Sequence, residues 1–172
     1  MLTESSKYLS YLLRHKPEAA NLSIDTQGWV SIEQLLQNTA LQLDEILQIV
    51  EQDDKQRYAL NADRTKIRAV QGHSTPLVRV KYAIKTPPPV LFHGTNDQAW
   101  ETIQKQGLRS MRRHHVHLSE NQDDARAVGG RRKRDLVLLE ISTRSMLCPF
   151  YQADNGVWLV TEVPISNIKR IE

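Results

Sequence analysis

Arg57-Tyr58-Ala59-Leu60-Asn61-Ala62-Asp63-Arg64-Thr65-Lys66-Ile67-Arg68-Ala69-Val70 sets two short alternating runs around a polar loop. Residues 57–60 and 65–70 read as the strands of a hairpin joined by Asn61-Ala62-Asp63-Arg64. Alternate side chains of a strand share a face. Ile67 and Ala69 therefore face a core, and Lys66 and Arg68 project together on the other side, where Arg68 can meet an anion. Upstream lie three segments of helical periodicity. Tyr8, Leu9, Leu12 and Leu13 mark the first, which Pro17 stops soon after Arg14-His15. Leu22 and Ile24 alternate into a short strand, and Asp25-Thr26-Gln27-Gly28 turns the chain into Trp29-Val30. Ser31 with Gln34 three residues on predicts a capping box. It opens a second helix, with Ile32, Leu35 and Leu36 on its apolar side. Leu43, Ile46, Leu47 and Val50 predict the apolar stripe of a third. Three helices and a basic hairpin describe a winged-helix lobe over residues 1–75, a fold that commonly binds nucleic acid without proving that it does.

Outward from that lobe, Thr86-Pro87-Pro88-Pro89 cannot be helix interior and is stiff. Residues 76–89 are read as a Pro-rich linker region. Residues 90–172 are strand-rich. Val90–His93 is a short strand running into Gly94-Thr95. Asn96 can cap a helix carrying Ala99, Trp100 and Ile103, with Gly107 as its stop. Val116–Leu118 predicts a strand, and Ala125–Val128 a short helix ended by Gly129-Gly130. Leu136–Ile141 is apolar apart from Glu140 and so predicts a central strand. Val157–Val160 predicts another, entered through the turn Ala153-Asp154-Asn155-Gly156. The class is α+β.

Composition narrows the function classes. A chain of 172 residues, 40% of them hydrophobic, can bury one large core or two small ones. No stretch reaches the roughly 20 apolar residues of a membrane helix, and Ser5-Ser6-Lys7 interrupts any apolar leader. Cys148 is the single cysteine, so no internal disulfide can form, and a reducing, cytoplasmic setting is expected. The net charge of +3 is modest, but it is unevenly spread. Residues 55–85 hold eight Lys/Arg against one acid, and residues 109–134 hold eight against three. Two local anion sites suit this pattern better than a uniformly basic surface, with solvated charge as the plain alternative.

Several chemistries lack their motif. There is no G-x-G-x-x-G after a strand and no Walker-type phosphate loop. His93, His115, His117 and Cys148 match no usual zinc spacing, so no metal is expected. Cys148, between apolar residues and a proline, reads as a buried small side chain. His15 at a helix end could be a structural cap. Gly94 reads as a place where the backbone approaches a ligand closely. What remains is arginine and histidine. Arginine binds phosphate oxygens with a planar fork, and histidine adds a donor and a proton that moves near neutral pH. Arg14-His15, Arg68 and the run 131–134 therefore point to transfer chemistry at a phosphate.

The residues that carry this reading resemble the RNA 2′-phosphotransferase family over nearly the whole chain, in order. The matching stretches are Ser6-Lys7-Tyr8-Leu9-Ser10-Tyr11-Leu12-Leu13-Arg14-His15, Asp25-Thr26-Gln27-Gly28-Trp29-Val30, Ile67-Arg68-Ala69-Val70-Gln71-Gly72-His73-Ser74, Leu91-Phe92-His93-Gly94-Thr95, His115-Val116-His117-Leu118-Ser119, Val128-Gly129-Gly130-Arg131 and Asn155-Gly156-Val157-Trp158-Leu159. The resemblance implies an N-terminal winged-helix RNA lobe and a C-terminal ADP-ribosyltransferase-like lobe that binds NAD⁺. It implies a catalytic tetrad of Arg14, His15, Arg68 and Arg131, although this chain's Arg131-Arg132-Lys133-Arg134 departs from the family's usual sequence there and leaves Arg132 as an alternative. It further implies that His93, Gly94, Thr95, His115, His117 and Ser119 line the NAD⁺ site, and that Lys7, Gln71, His73 and Ser74 contact RNA.

The implied reaction moves an internal RNA 2′-phosphate to NAD⁺ through an ADP-ribosylated RNA. The products are 2′-OH RNA, nicotinamide and ADP-ribose 1″,2″-cyclic phosphate. A tRNA splice junction is the family's known type of substrate, and a monomer is expected. Two other readings stand beside it: NAD-dependent capping of 5′-phosphorylated nucleic acid ends, and a winged-helix binder without turnover.

Overall fold

A computed structural model describes residues 2–129 and 135–172. It divides into two compact units, Met1–Lys81 and Tyr82–Glu172. Both mix helices with small antiparallel sheets, so the α+β class holds.

In the first unit, α1 (Leu2–Arg14) is followed by a 3-10 turn at Pro17–Ala20, then β1 (Val30–Ser31), α2 (Ile32–Asn38), α3 (Leu43–Glu51), β2 (Tyr58–Leu60) and β3 (Lys66–Ala69). The sheet order is β1-β3-β2. Leu9, Leu12 and Leu13 of α1 pack with Ile32, Leu35, Ile46, Ile49, Ile67 and Ala69 in one core. Burying that many large aliphatic side chains, at roughly 1.5–3 kcal/mol each, holds α1 on the sheet. The predicted alternation on β3 is observed: Ile67 and Ala69 are fully buried, Lys66 is exposed and Arg68 half-buried.

Four local expectations change. Pro17 does more than stop α1: its fixed φ opens the 3-10 turn. Ile24 forms only a single bridge to Val30, not a strand. The Ser31 capping box is half made. Ser31 Oγ accepts from Gln34 N at 3.4 Å, but the Gln34 side chain instead accepts from Ser23 N at 2.8 Å and ties down the incoming chain. On α3 the buried positions are Ile46 and Ile49, while Leu43 is 43% exposed because it stands in the solvated first turn.

In the second unit come β4 (Ala83–Ile84), β5 (Val90–Asn96), α4 (Asp97–Gln106), β6 (Leu108–Arg109), β7 (Val116–Leu118), α5 (Gln122–Gly129), β8 (Leu136–Ser142), β9 (Tyr151–Gln152), β10 (Trp158–Val160), β11 (Glu162–Val163) and β12 (Ile168–Arg170). β8 is central in the order β12-β8-β5, as its apolar run predicted. A second sheet runs β4-β9-β10-β7, and β6 pairs with β11. Val137, Leu139 and Ile141 of β8 join Leu91, Val116, Leu118, Trp158 and Val160 in the core. Asn96 caps α4 through its side chain, which accepts from Ala99 N at 2.8 Å. Cys148 is only half-buried, at the edge of this core, and burial pushes its thiol up. No described helix is long and apolar enough to cross a membrane.

Candidate functional site

Within the first unit, Arg14 and His15 close α1. His15 N still donates to Tyr11 O at 2.9 Å, so the helix carries both side chains to its very end. The segment after β3 returns to meet them. Ser74 N and Thr75 N both donate to Arg14 O, at 2.9 and 3.3 Å. These bonds satisfy a carbonyl that the end of a helix otherwise leaves open. His15 Nδ1 and Ser74 Oγ share a hydrogen bond of 2.8 Å. Arg14 is 9% exposed, and its Nη1 donates to Ser10 Oγ at 3.2 Å. Gly72 makes the return with φ +87°, in the left-handed region, and its missing side chain lies 3.5 Å from Arg14 Nε. Two residues 59 positions apart are thus bound together by the geometry of a short loop.

Arg68 reaches the outward face of β3, and there its guanidinium lies over the Trp29 ring, 4.7 Å from the centroid. Val30 pairs with Ile67, and continuing that antiparallel register sets Trp29 beside Arg68. Sequence reasoning gave Arg68 an open face. The structure gives it an aromatic support, which the β1 register could have revealed had β1 been paired with β3 in advance. Of the expected RNA contacts, Lys7 is exposed and Gln71 and Ser74 are half-buried. His73 is 3% exposed, and a Cβ at Gly28 would come 3.1 Å from its Nε2. That places His73 as a prop behind the Asp25–Gly28 turn.

In the second unit, His93 and Thr95 of β5 pair with Leu139 and Val137 and point to the same side as the core cluster. His93 Nδ1 bonds the His117 carbonyl at 2.9 Å, which joins β5 to β7. Burial holds the His93 imidazole below the ordinary histidine range, only partly offset by that carbonyl and assisted by the charge of Arg113. His115 is lowered too, by burial and then by His114. Its ring meets Tyr82 and Tyr151 edge-on, at 5.9 and 5.7 Å. Ser119 and Phe92 exchange backbone hydrogen bonds of 2.8 and 2.9 Å.

Gly94 has a packing role of its own. It lies on the opposite face of β5 from His93 and Thr95, paired with Leu138. A Cβ there would stand 1.8 Å from Ala125 O of α5. At Gly129, likewise, a Cβ would meet Gly94 C at 2.7 Å. The close backbone approach is that of a helix to a strand, so Gly94 lets α5 seat on β5. Among the described residues, no cluster of His, Cys, Asp and Glu has the makings of a metal centre. Arg131 and Arg132 lie outside the described residues.

A family model described as RNA 2'-phosphotransferase, Tpt1 / KptA family, matches residues 2–162. The chain belongs to this family. Curated relatives named "Probable RNA 2'-phosphotransferase" agree along almost their whole length. The Pseudomonas aeruginosa PAO1 protein is 47% identical over 176 residues, covering 98% of this chain and 96% of that protein. The one from Burkholderia pseudomallei K96243 is 46% identical over 175 residues, with 97% and 94% covered. One from Escherichia coli K12 is 42% identical over 173 residues, with 95% and 93% covered. Membership makes this chain a transferase whose chemistry concerns the 2′-phosphate of RNA.

Proposed function

We propose that this enzyme removes an internal 2′-phosphate from RNA at the expense of NAD⁺, with Met1–Lys81 as a winged-helix RNA lobe and Tyr82–Glu172 as an ADP-ribosyltransferase-like lobe. The observation that carries the reading is the Arg14-His15 helix end held to Ser74 beside Arg14's buried guanidinium, in a chain that matches the family over residues 2–162. Arg14 and Arg68 bind the phosphate oxygens, with Arg131 or Arg132 as the fourth member that the family resemblance implies, and His15 binds the phosphate and assists its transfer. Lys7 and Gln71 contact the flanking RNA. The Trp29 ring keeps the Arg68 fork from swinging into solvent.

The second unit fits NAD⁺ as co-substrate. Burial favours uncharged rings at His93 and His115, which suits a site for a cationic nicotinamide. His93 spends Nδ1 on the His117 carbonyl, leaving Nε2 as an acceptor for a ribose hydroxyl. Tyr82 and Tyr151 add aromatic surface around His115. Thr95, His117 and Ser119 share the β5 and β7 region with them, and Gly94 contributes by seating α5.

The chemistry has two steps. A 2′-phosphate oxygen attacks C1″ of the nicotinamide ribose, and nicotinamide leaves with the bonding pair. The ribose 2″-hydroxyl then attacks phosphorus, and the RNA 2′-oxygen leaves and takes a proton. This releases ADP-ribose 1″,2″-cyclic phosphate. Charge builds on phosphate oxygens in the second step, where losing one preorganised donor costs roughly 10²–10³ in rate. Mass spectrometry of protein, NAD⁺ and a 2′-phosphorylated oligonucleotide tests the reading. An oligonucleotide lighter by one phosphate, with the cyclic phosphate alongside, supports it. Intact NAD⁺ with bound RNA would replace it by a nucleic-acid binder. ADP-ribose on a 5′-phosphorylated control in preference to the 2′-phosphate would replace it by end capping.

A further inference from the structure

We infer that Ser74 is a positioning residue for His15, acting through the imidazole and not by touching RNA. Three observations support this. The Ser74 hydroxyl and His15 Nδ1 are 2.8 Å apart. The Ser74 backbone is itself fixed by its bond to Arg14 O, so the hydroxyl is delivered from a rigid base. Gly72 at φ +87° sets the approach of that segment, and Thr75, 3% exposed, anchors its far side.

The chemical consequence concerns which nitrogen works. A histidine has two distinct ring nitrogens, and the bond made by one decides what the other can do. With Nδ1 engaged by Ser74, the orientation of the ring and the nitrogen that carries its proton both depend on that hydroxyl. A flip of the ring would break that bond. Without the hydroxyl, the imidazole samples both orientations, and only some encounters are productive. RNA still binds through Arg14 and Arg68, so the loss appears in the rate of transfer.

The inference rests on the assignment of His15 to phosphate transfer. The test is a double-mutant cycle read by single-turnover decay of ADP-ribosylated RNA, with the thermal midpoint of each variant confirming that it folds. Ser74→Ala is expected to slow the second step about tenfold, as loss of a hydrogen bond to a group that becomes charged would. KM for RNA should stay within about twofold, since the phosphate-binding arginines are untouched. Ser74→Thr keeps the hydroxyl and should restore most of the rate. Adding Ser74→Ala to His15→Ala should change nothing further, because the two residues act as a unit. The inference is overturned if Ser74→Ala raises KM with the rate unchanged, which would make Ser74 an RNA contact. It is overturned equally if Ser74→Ala keeps its full effect in the His15→Ala background. A His15→Ala enzyme with normal turnover would instead remove the underlying assignment, an outcome visible before Ser74 is touched.

Discussion

Replacing Gly94 by Ala should unseat α5. The added Cβ would lie 1.8 Å from Ala125 O, 2.6 Å from Ala125 C and 3.0 Å from Gly129 N, all of them backbone atoms. Carbon contacts are comfortable only near about 3.5 Å, so the helix would have to retreat by about 1.7 Å. No side-chain rotation can relieve this. Overpacking of a tight core commonly costs 1–3 kcal/mol, and a clash with backbone belongs at or above the upper end, about 3 kcal/mol. For a unit of this size that corresponds to a fall in the thermal midpoint on the order of 10–20 °C. Urea unfolding followed by circular dichroism and tryptophan fluorescence measures it. A Gly94→Ala protein within about 0.5 kcal/mol of the parent, with NAD⁺ use lost, would refute the packing argument and favour a ligand contact at Gly94.

Trp29→Leu removes the ring beneath Arg68 and should slow decay of the ADP-ribosylated RNA about fivefold, on the order of 1 kcal/mol for a half-exposed cation–π pair. Trp29→Phe should retain much of the rate, and equal loss in both would point to simple core damage. Gly72→Ala forces a side chain into φ +87° beside Arg14 and should cost about 1–2 kcal/mol of stability, read by urea titration. His93, whose folded value is depressed by burial, stabilises the fold fully above its unfolded value of about 6.5, and that contribution disappears as pH falls through the folded value. Between pH 7.5 and 5 the parent should therefore lose more stability than His93→Gln; matching curves would contradict this.

Local patterns made the secondary structure legible. The two-residue period of Lys66–Ala69 put Ile67 and Ala69 inside and Arg68 outside, and the unbroken apolar run of Leu136–Ile141 marked the central strand. Patterns failed where long-range contact decides. Leu43 fits the α3 stripe, yet only the packed core reveals that burial starts a turn later, at Ile46. Gln34 looks like half of a capping box until the chain at Ser23 competes for its amide. The two-residue strands, such as Ala83–Ile84 and Tyr151–Gln152, exist through pairing across the sheet and have too little sequence to show a period. Of the candidate site, only the residue types were legible. Arg14-His15 and Arg68 stood out as cations in a pattern suited to phosphate, whereas the bond from His15 to Ser74 and the Trp29 platform depend on loop and strand geometry. The close approach of α5 to Gly94 likewise depends on packing across the fold.

If His15 and Arg68 act on a phosphate already joined to ADP-ribose, losing either should strand that adduct. Incubating the parent enzyme, His15→Ala and Arg68→Ala with NAD⁺ and a 2′-phosphorylated oligonucleotide, and weighing the RNA over time, tests it most directly. The parent should yield a dephosphorylated oligonucleotide, and both variants an oligonucleotide carrying ADP-ribose that persists. Variants without any activity and without that adduct, or a parent enzyme that dephosphorylates the RNA with no NAD⁺ consumed, would contradict it.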